Sequence, residues 1–154
     1  MIHIYYGFGK GKTTAAIGAG MRAYGAGKSV LLVQFLKNNK SSELKAVPFD
    51  VFEAPNDISF HPGDDYLPWI KRALDFIKKA DNEVIILDEC IDLIPKFLSV
   101  HDCLDIIGSS DKEFILTGHY HVKELIEAAD YVTFFQKEKH PFDNGVQARF
   151  GVEY

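Results

Sequence analysis

Ile2-His3-Ile4-Tyr5-Tyr6-Gly7-Phe8-Gly9-Lys10-Gly11-Lys12-Thr13-Thr14 decides the fold: an apolar strand, a glycine-rich turn ending in Gly-Lys-Thr, then the opening of a helix. Glycines at 7, 9 and 11 let the backbone turn its N–H groups inward, and a helix opening at Lys12 adds its unpaired N-terminal donors. The product is a cradle for phosphate. Lys12 brings a point charge to the phosphate oxygens, and the Thr13 hydroxyl is placed to ligate a bridging magnesium ion. The usual P-loop spacing wants glycine at position 6, where this chain has Tyr6. A glycine-rich turn that binds nothing is the plain alternative, but Lys12 and Thr13 fall in register behind Gly11.

Outward from this loop the chain reads as alternating strands and helices. The helix carries Ala15, Ala16, Ile17 and Met21, its small residues Ala15, Ala16, Gly18 and Ala19 suit a helix lying close against a sheet, and Gly25 and Gly27 close it. Ser29 to Phe35, with Val30, Leu31, Leu32 and Val33 in an unbroken apolar run, predicts a strand covered on both faces as in parallel sheets. Strand, helix and strand make a βαβ unit. Asn38 to Lys45 is polar and without apolar period, and reads as a mobile loop beside the phosphate site. Phe49 to Phe52 reads as a short strand and Pro55 to Leu67 as an irregular connection. From Pro68, the spacing of Trp69, Ile70, Ala73, Leu74, Ile77 and Ala80 predicts an amphipathic helix in which Trp69 packs.

Val84-Ile85-Ile86-Leu87-Asp88-Glu89 is the second decisive stretch. An apolar strand ending in two carboxylates sets both at the C-terminal edge of the sheet, where parallel α/β folds bind ligands. One carboxylate would hold magnesium and the other orient a ligand or water; the competing reading makes them the N-cap region of the next helix. A short helix is expected over Cys90 to Phe97, interrupted near Pro95, and another over His101 to Ile107. Phe114 to Gly118 reads as a buried strand whose Thr117 and Gly118 border the site. His119 and His121 have a spacing open to metal ligation, but no carboxylate or cysteine adjoins them in sequence, which favours polar loop residues. Val122 to Ala129 reads as a helix, Tyr131 to Phe135 as a strand, and the alternating Val146, Ala148, Phe150 and Val152 as an edge strand.

At 154 residues, 47% hydrophobic and 25% charged, the chain is expected to form one soluble domain, residues 1–154. No apolar stretch approaches a membrane span and the first residues lack the build of a signal peptide, so the expectation is cytoplasmic, with no membrane partner. A net charge of −5 argues against nucleic acid. Cys90 and Cys103 form no Cys-x-x-Cys pair, against a disulfide framework or zinc site.

With both motifs in place, the chain resembles the P-loop type ATP:corrinoid adenosyltransferases, which act on cob(I)alamin and cob(I)yrinic acid a,c-diamide. The resemblance spans nearly the whole chain. It rests on Gly7 to Thr14, Val33-Gln34-Phe35-Leu36-Lys37, Ile86 to Glu89, Leu116-Thr117-Gly118, Ala129 to Thr133, and the tail from Lys139-His140-Pro141-Phe142 to Gly151-Val152-Glu153-Tyr154. It implies an α/β, RecA-like P-loop NTPase fold, mostly parallel with helices on both faces, usually as a homodimer. It also implies that magnesium-ATP donates its adenosyl group to Co(I) of a corrinoid, releasing triphosphate, with a reductase supplying Co(I). Lys12, Thr13 and Thr14 would hold polyphosphate with amides from Gly9 to Gly11. Gly7, Lys10, Thr117 and His119 would border the nucleotide, and Thr13, Asp88 and Glu89 would serve the metal. Departures from the family pattern are His119 where Thr-Gly-Arg is usual, Arg149 for Gln, and Ile58-Ser59-Phe60 with the more distant Trp69 for an aromatic middle motif. An ATPase or nucleotide-dependent switch working through a protein partner is the alternative on the same fold.

Overall fold

The computed structural model describes residues 1–37, 41–55, 63–108 and 111–153. Six strands, β1 (Ile2–Tyr6), β2 (Val30–Gln34), β3 (Asp50–Phe52), β4 (Val84–Asp88), β5 (Glu113–Gly118) and β6 (Tyr131–Phe134), form one sheet in the order β3-β2-β4-β5-β1-β6. Every pairing is parallel. The helices are α1 (Lys12–Gly25), α2 (Leu67–Lys79), α3 (Val100–Gly108) and α4 (Lys123–Ala128). β2 and β4 are buried at every residue, which is why their sequences are continuous apolar runs.

The period of two along each strand divides the core. Ile4, Leu31, Val33, Ile85, Leu87, Phe114 and Leu116 face one way, onto α2, α3 and α4, while Val30, Leu32, Val84, Ile86 and Ile115 face α1. Helices therefore cover both faces, as a RecA-like P-loop fold requires. The close approach of α1 depends on Ala16 and Gly20: a Cβ at Gly20 would meet Ile86 Cδ1 at 2.7 Å, whereas Gly18 faces open space. α2 buries Trp69, Ile70, Ala73 and Ile77. Trp69 packs edge-on to Phe35 and stacks on Tyr66, with its ring N–H donated to the Glu53 carbonyl at 3.1 Å, so it is a core residue.

Three expectations change. The segment after Glu89 is a single 3-10 turn, Ile91–Leu93, rather than a helix to Phe97; a cis peptide joins Ile94 to Pro95. Ser42–Lys45 is also a 3-10 turn, while residues 38–40 of that polar stretch lie outside the described residues, as do Ile58, Ser59 and Phe60. The tail is not an edge strand. Pro141–Asn144 forms a 3-10 turn, Gly145 and Gly151 take left-handed conformations, and the Val152 and Glu153 amides turn back onto the Arg149 carbonyl. These turns break the extended backbone that the alternation of Val146, Phe150 and Val152 suggested, and all three side chains are exposed. Cys90 and Cys103 are buried free thiols.

Candidate active site at the carboxyl edge of the sheet

With all strands parallel, the ends Tyr6, Gln34, Asp88 and Gly118 meet at one edge, and the loop from Gly7 to Gly11 rises from it into α1. Gly7 and Gly11 have φ near +117° and +116°, which side chains resist. The loop is anchored from behind: Gly7 N donates to the Gly118 carbonyl at 3.2 Å and Gly9 N to the Phe135 carbonyl at 2.7 Å. Those two amides are thus committed within the fold. The amides of Lys10, Gly11, Lys12, Thr13 and Thr14 donate to no other described residue, and they form the N-terminal end of α1.

Lys12 is 7% exposed, and its ammonium has the Gly9 carbonyl, at 3.2 Å, as partner. Burial pulls its pKa down, against the opposing pull of Glu89, Asp92 and Asp88. A desolvated cation held by one carbonyl gains from an anion brought to it. It lines a cleft of about 340 Å³ with Gly9 to Thr14, Lys37, Ser42, Glu43, Glu89 and the tail residues Gly151 to Glu153. The tail is held over the loop by Lys10, which donates to the Val152 carbonyl and the Glu153 carboxylate, each at 3.0 Å.

Asp88 is fully buried and accepts four hydrogen bonds. Thr13 and Thr117 hydroxyls donate to Oδ1 at 2.9 and 2.7 Å; Gln34 Nε2 and Lys37 Nζ donate to Oδ2 at 3.2 and 2.7 Å. This is not an N-cap. Three strands and the first turn of α1 converge on one carboxylate because the register sets Gln34 beside Asp88, with Thr117 on the neighbouring strand. Gln34 Oε1 is buried without a partner among the described residues. Lys37 Nζ also donates to Thr13 Oγ1 at 2.9 Å and stands 4.0 Å from Glu89 Oε1. Burial works to lower its pKa, but Asp88 and Glu89 outweigh that and hold the ammonium above its ordinary value.

Glu89 adopts φ 59°, a left-handed conformation unusual for a side-chain-bearing residue, pinned by its amide donating to Thr117 Oγ1 at 2.9 Å. The turn directs its carboxyl into the cleft, next to Asp92 and His119. Burial first, then Asp92 and Asp88, pushes Glu89 up to about 7. Burial also works to raise Asp92, yet hydrogen bonds from His119 and Glu89 hold it below the ordinary range. The Asp92 carboxylate on its ring raises His119, against burial. Nδ1 of His119 lies 3.0 Å from Asp92 Oδ2 and 3.6 Å from Glu89 Oε2. The fold therefore supplies the carboxylates that the sequence neighbourhood of His119 lacks, and one ligand atom from each of the three residues lies within 4.8 Å of the others.

Among the residues read from sequence, Gly9, Lys10, Gly11, Lys12, Thr13, Thr14 and Glu89 line the cleft. Gly7, Asp88, Thr117 and His119 stand behind or beside it. Sequence reasoning missed Lys37, Gln34 and Asp92 as members of this cluster. Lys37 and Gln34 lay in a quoted motif, and a signal was available in a glutamine and a lysine at the end of an apolar strand expected in the same parallel sheet as the carboxylates.

The sequence matches the family described as ATP:corrinoid adenosyltransferase BtuR/CobO/CobP over residues 1–154. The chain belongs to this family. It is 29% identical to the corrinoid adenosyltransferase of Escherichia coli K12, with 100% of this chain and 85% of that protein aligned. It is 31% identical to the corrinoid adenosyltransferase of Pseudomonas aeruginosa PAO1, covering 98% of this chain and 82% of that protein. Corrinoid adenosyltransferase CobA of Salmonella typhimurium LT2 is 26% identical, with 100% and 85% covered. No helix among the described residues is long and apolar enough to cross a membrane.

Proposed function

We propose that this enzyme transfers the 5′-adenosyl group of magnesium-ATP to the Co(I) centre of a corrinoid and releases inorganic triphosphate. One observation carries the reading within the family: five residues whose amides are uncommitted among the described residues, the buried Lys12 and the Thr13 and Glu89 side chains line one cleft of nucleotide size. Cobalt attacks C5′, the C5′–O bond breaks with its electron pair going to oxygen, and triphosphate departs. The barrier includes charge building on that leaving oxygen.

The residues divide the work. The amides from Lys10 to Thr14 and the Lys12 ammonium bind the polyphosphate and spread its charge; Lys10 ties the tail across the cleft. The oxygens of Thr13, Asp88 and Glu89 are hard donors suited to magnesium, and Gln34 Oε1, without a partner among the described residues, would accept from a water it carries. Thr13 and Glu89 would hold it directly and Asp88 through water; bound there, it would neutralise the departing triphosphate. Thr117 fixes both Asp88 and the Glu89 backbone, and His119 with Asp92 orients the Glu89 carboxyl. In the same reading the protein is a one-domain, cytoplasmic homodimer fed Co(I) by a separate reductase.

Lys12→Ala removes a charge-assisted phosphate contact of about 1.5–3 kcal/mol, so magnesium-ATP affinity should fall at least tenfold by calorimetry. Product analysis by phosphorus NMR with reduced corrinoid should show triphosphate released in step with cobalt–carbon bond formation. ADP and phosphate accumulating at a corrinoid-independent rate would replace this reading with an ATPase or switch.

A further inference from the structure

Asp88 carries a full complement of donors. An ionised carboxylate offers about four lone-pair sites, and Thr13, Thr117, Gln34 and Lys37 fill them. Three of those donors are neutral and set by regular structure: Gln34 ends β2, Thr117 lies in β5 and Thr13 in the first turn of α1. Lys37 differs. It follows Leu36, whose φ is 54°, just beyond β2, and its ammonium ends a flexible stem with a quarter of the side chain accessible. It is the only charged donor of the four, and with Thr13 it lines the cleft.

The Thr13 hydroxyl is shared in the same way. Its proton goes to Asp88 Oδ1 and it accepts the Lys37 ammonium. Were a divalent ion to take the remaining lone pair, contact lengths of ordinary size would hold it roughly 4 Å from that ammonium, both cations partly shielded from water. Two positive charges so close exclude one another.

We propose that Lys37 and the divalent cation compete for Thr13 and Asp88, and that metal-nucleotide binding displaces the Lys37 ammonium into the cleft, where it pairs with the polyphosphate. Lys37 thus has two stations. At the first it neutralises Asp88 and keeps Thr13 oriented; at the second it adds a cation to the leaving triphosphate. The inference rests on the reading of Thr13, Asp88 and Glu89 as the oxygens that serve the cation. It assigns the lysine of the Val33-to-Lys37 stretch a task that its sequence position does not reveal.

Manganese(II) binding to the nucleotide-free chain, followed by electron paramagnetic resonance, tests the competition. Lys37→Met keeps the aliphatic stem and removes the charge, so it should bind manganese at least tenfold more tightly than the unmodified protein. Equal or weaker binding in a variant with unchanged circular dichroism overturns the proposal. A second readout needs no variant: acetylation of Lys37 by acetic anhydride, quantified by mass spectrometry. Manganese alone should raise Lys37 labelling and magnesium-ATP should lower it by at least threefold; labelling unmoved by either overturns the proposal. Neither measurement involves a corrinoid. A chain that shows the competition but transfers no adenosyl group retains this inference and loses the transferase reading, and a chain that transfers without the competition does the reverse.

Discussion

Replacing Glu89 by glutamine should stabilise the metal-free protein above neutral pH while abolishing its use of magnesium-ATP. The side chain is 16% accessible and crowded by Asp88 and Asp92, and its carboxyl is raised from 4.5 to about 7. Between those values the folded state binds a proton that the unfolded chain does not, so stability falls as pH rises through the window. A gap of about 2.5 pH units corresponds to a ceiling of roughly 3.5 kcal/mol, at about 1.4 kcal/mol per unit. Because Glu89 shares its proton with Asp92, which His119 also holds, about 1–3 kcal/mol is the expected gain at pH 8. Glutamine keeps an N–H to offer Asp92 and removes the charge. Urea unfolding in the presence of chelator, at pH 5 through 8, reads the effect: the variant should match the parent near pH 5 and exceed it progressively towards pH 8. A glutamine variant less stable at pH 8, or a difference independent of pH, would refute the account of Glu89 as a carboxyl kept partly protonated by its neighbours. Adenosyl transfer should fall at least a hundredfold in the same variant, a trade of function for stability.

Two other perturbations probe the supports of the site. Thr117→Val strips a donor at 2.7 Å from fully buried Asp88 and an acceptor from the Glu89 amide; it should cost about 2–4 kcal/mol in urea unfolding, with Asp88 left short of a partner. Ending the chain after Asn144 removes Val152 and Glu153, the partners of Lys10, and opens one wall of the cleft. Magnesium-ATP affinity should drop several-fold by calorimetry while the melting temperature changes little, because residues 145 to 153 are largely exposed.

Local sequence carried those features whose physics is local. The loop from Gly7 to Thr13 declares itself because positive φ, an unpaired helix end and a following Lys-Thr are all consequences of neighbours in the chain. The apolar runs at β2, β4 and β5 announce strands buried on both faces, and with them a parallel sheet whose carboxyl edge receives Asp88 and Glu89. The tail's alternation misled, because the left-handed turns at Gly145 and Gly151 prevail over apolar periodicity where no strand edge is joined. What only the tertiary structure decided is which distant groups share an atom. Gln34 and Thr117 come from two strands, Lys37 from the loop after β2 and Thr13 from the first turn of α1, and sheet order with register brings their polar atoms within 3.2 Å of one carboxylate. His119 likewise gains Asp92 and Glu89 only because β5 pairs beside β4. Hydrogen bonds and charge pairs act over a few ångströms of space, not along the chain, so the sequence specified the cradle while the fold determined the company each charge keeps.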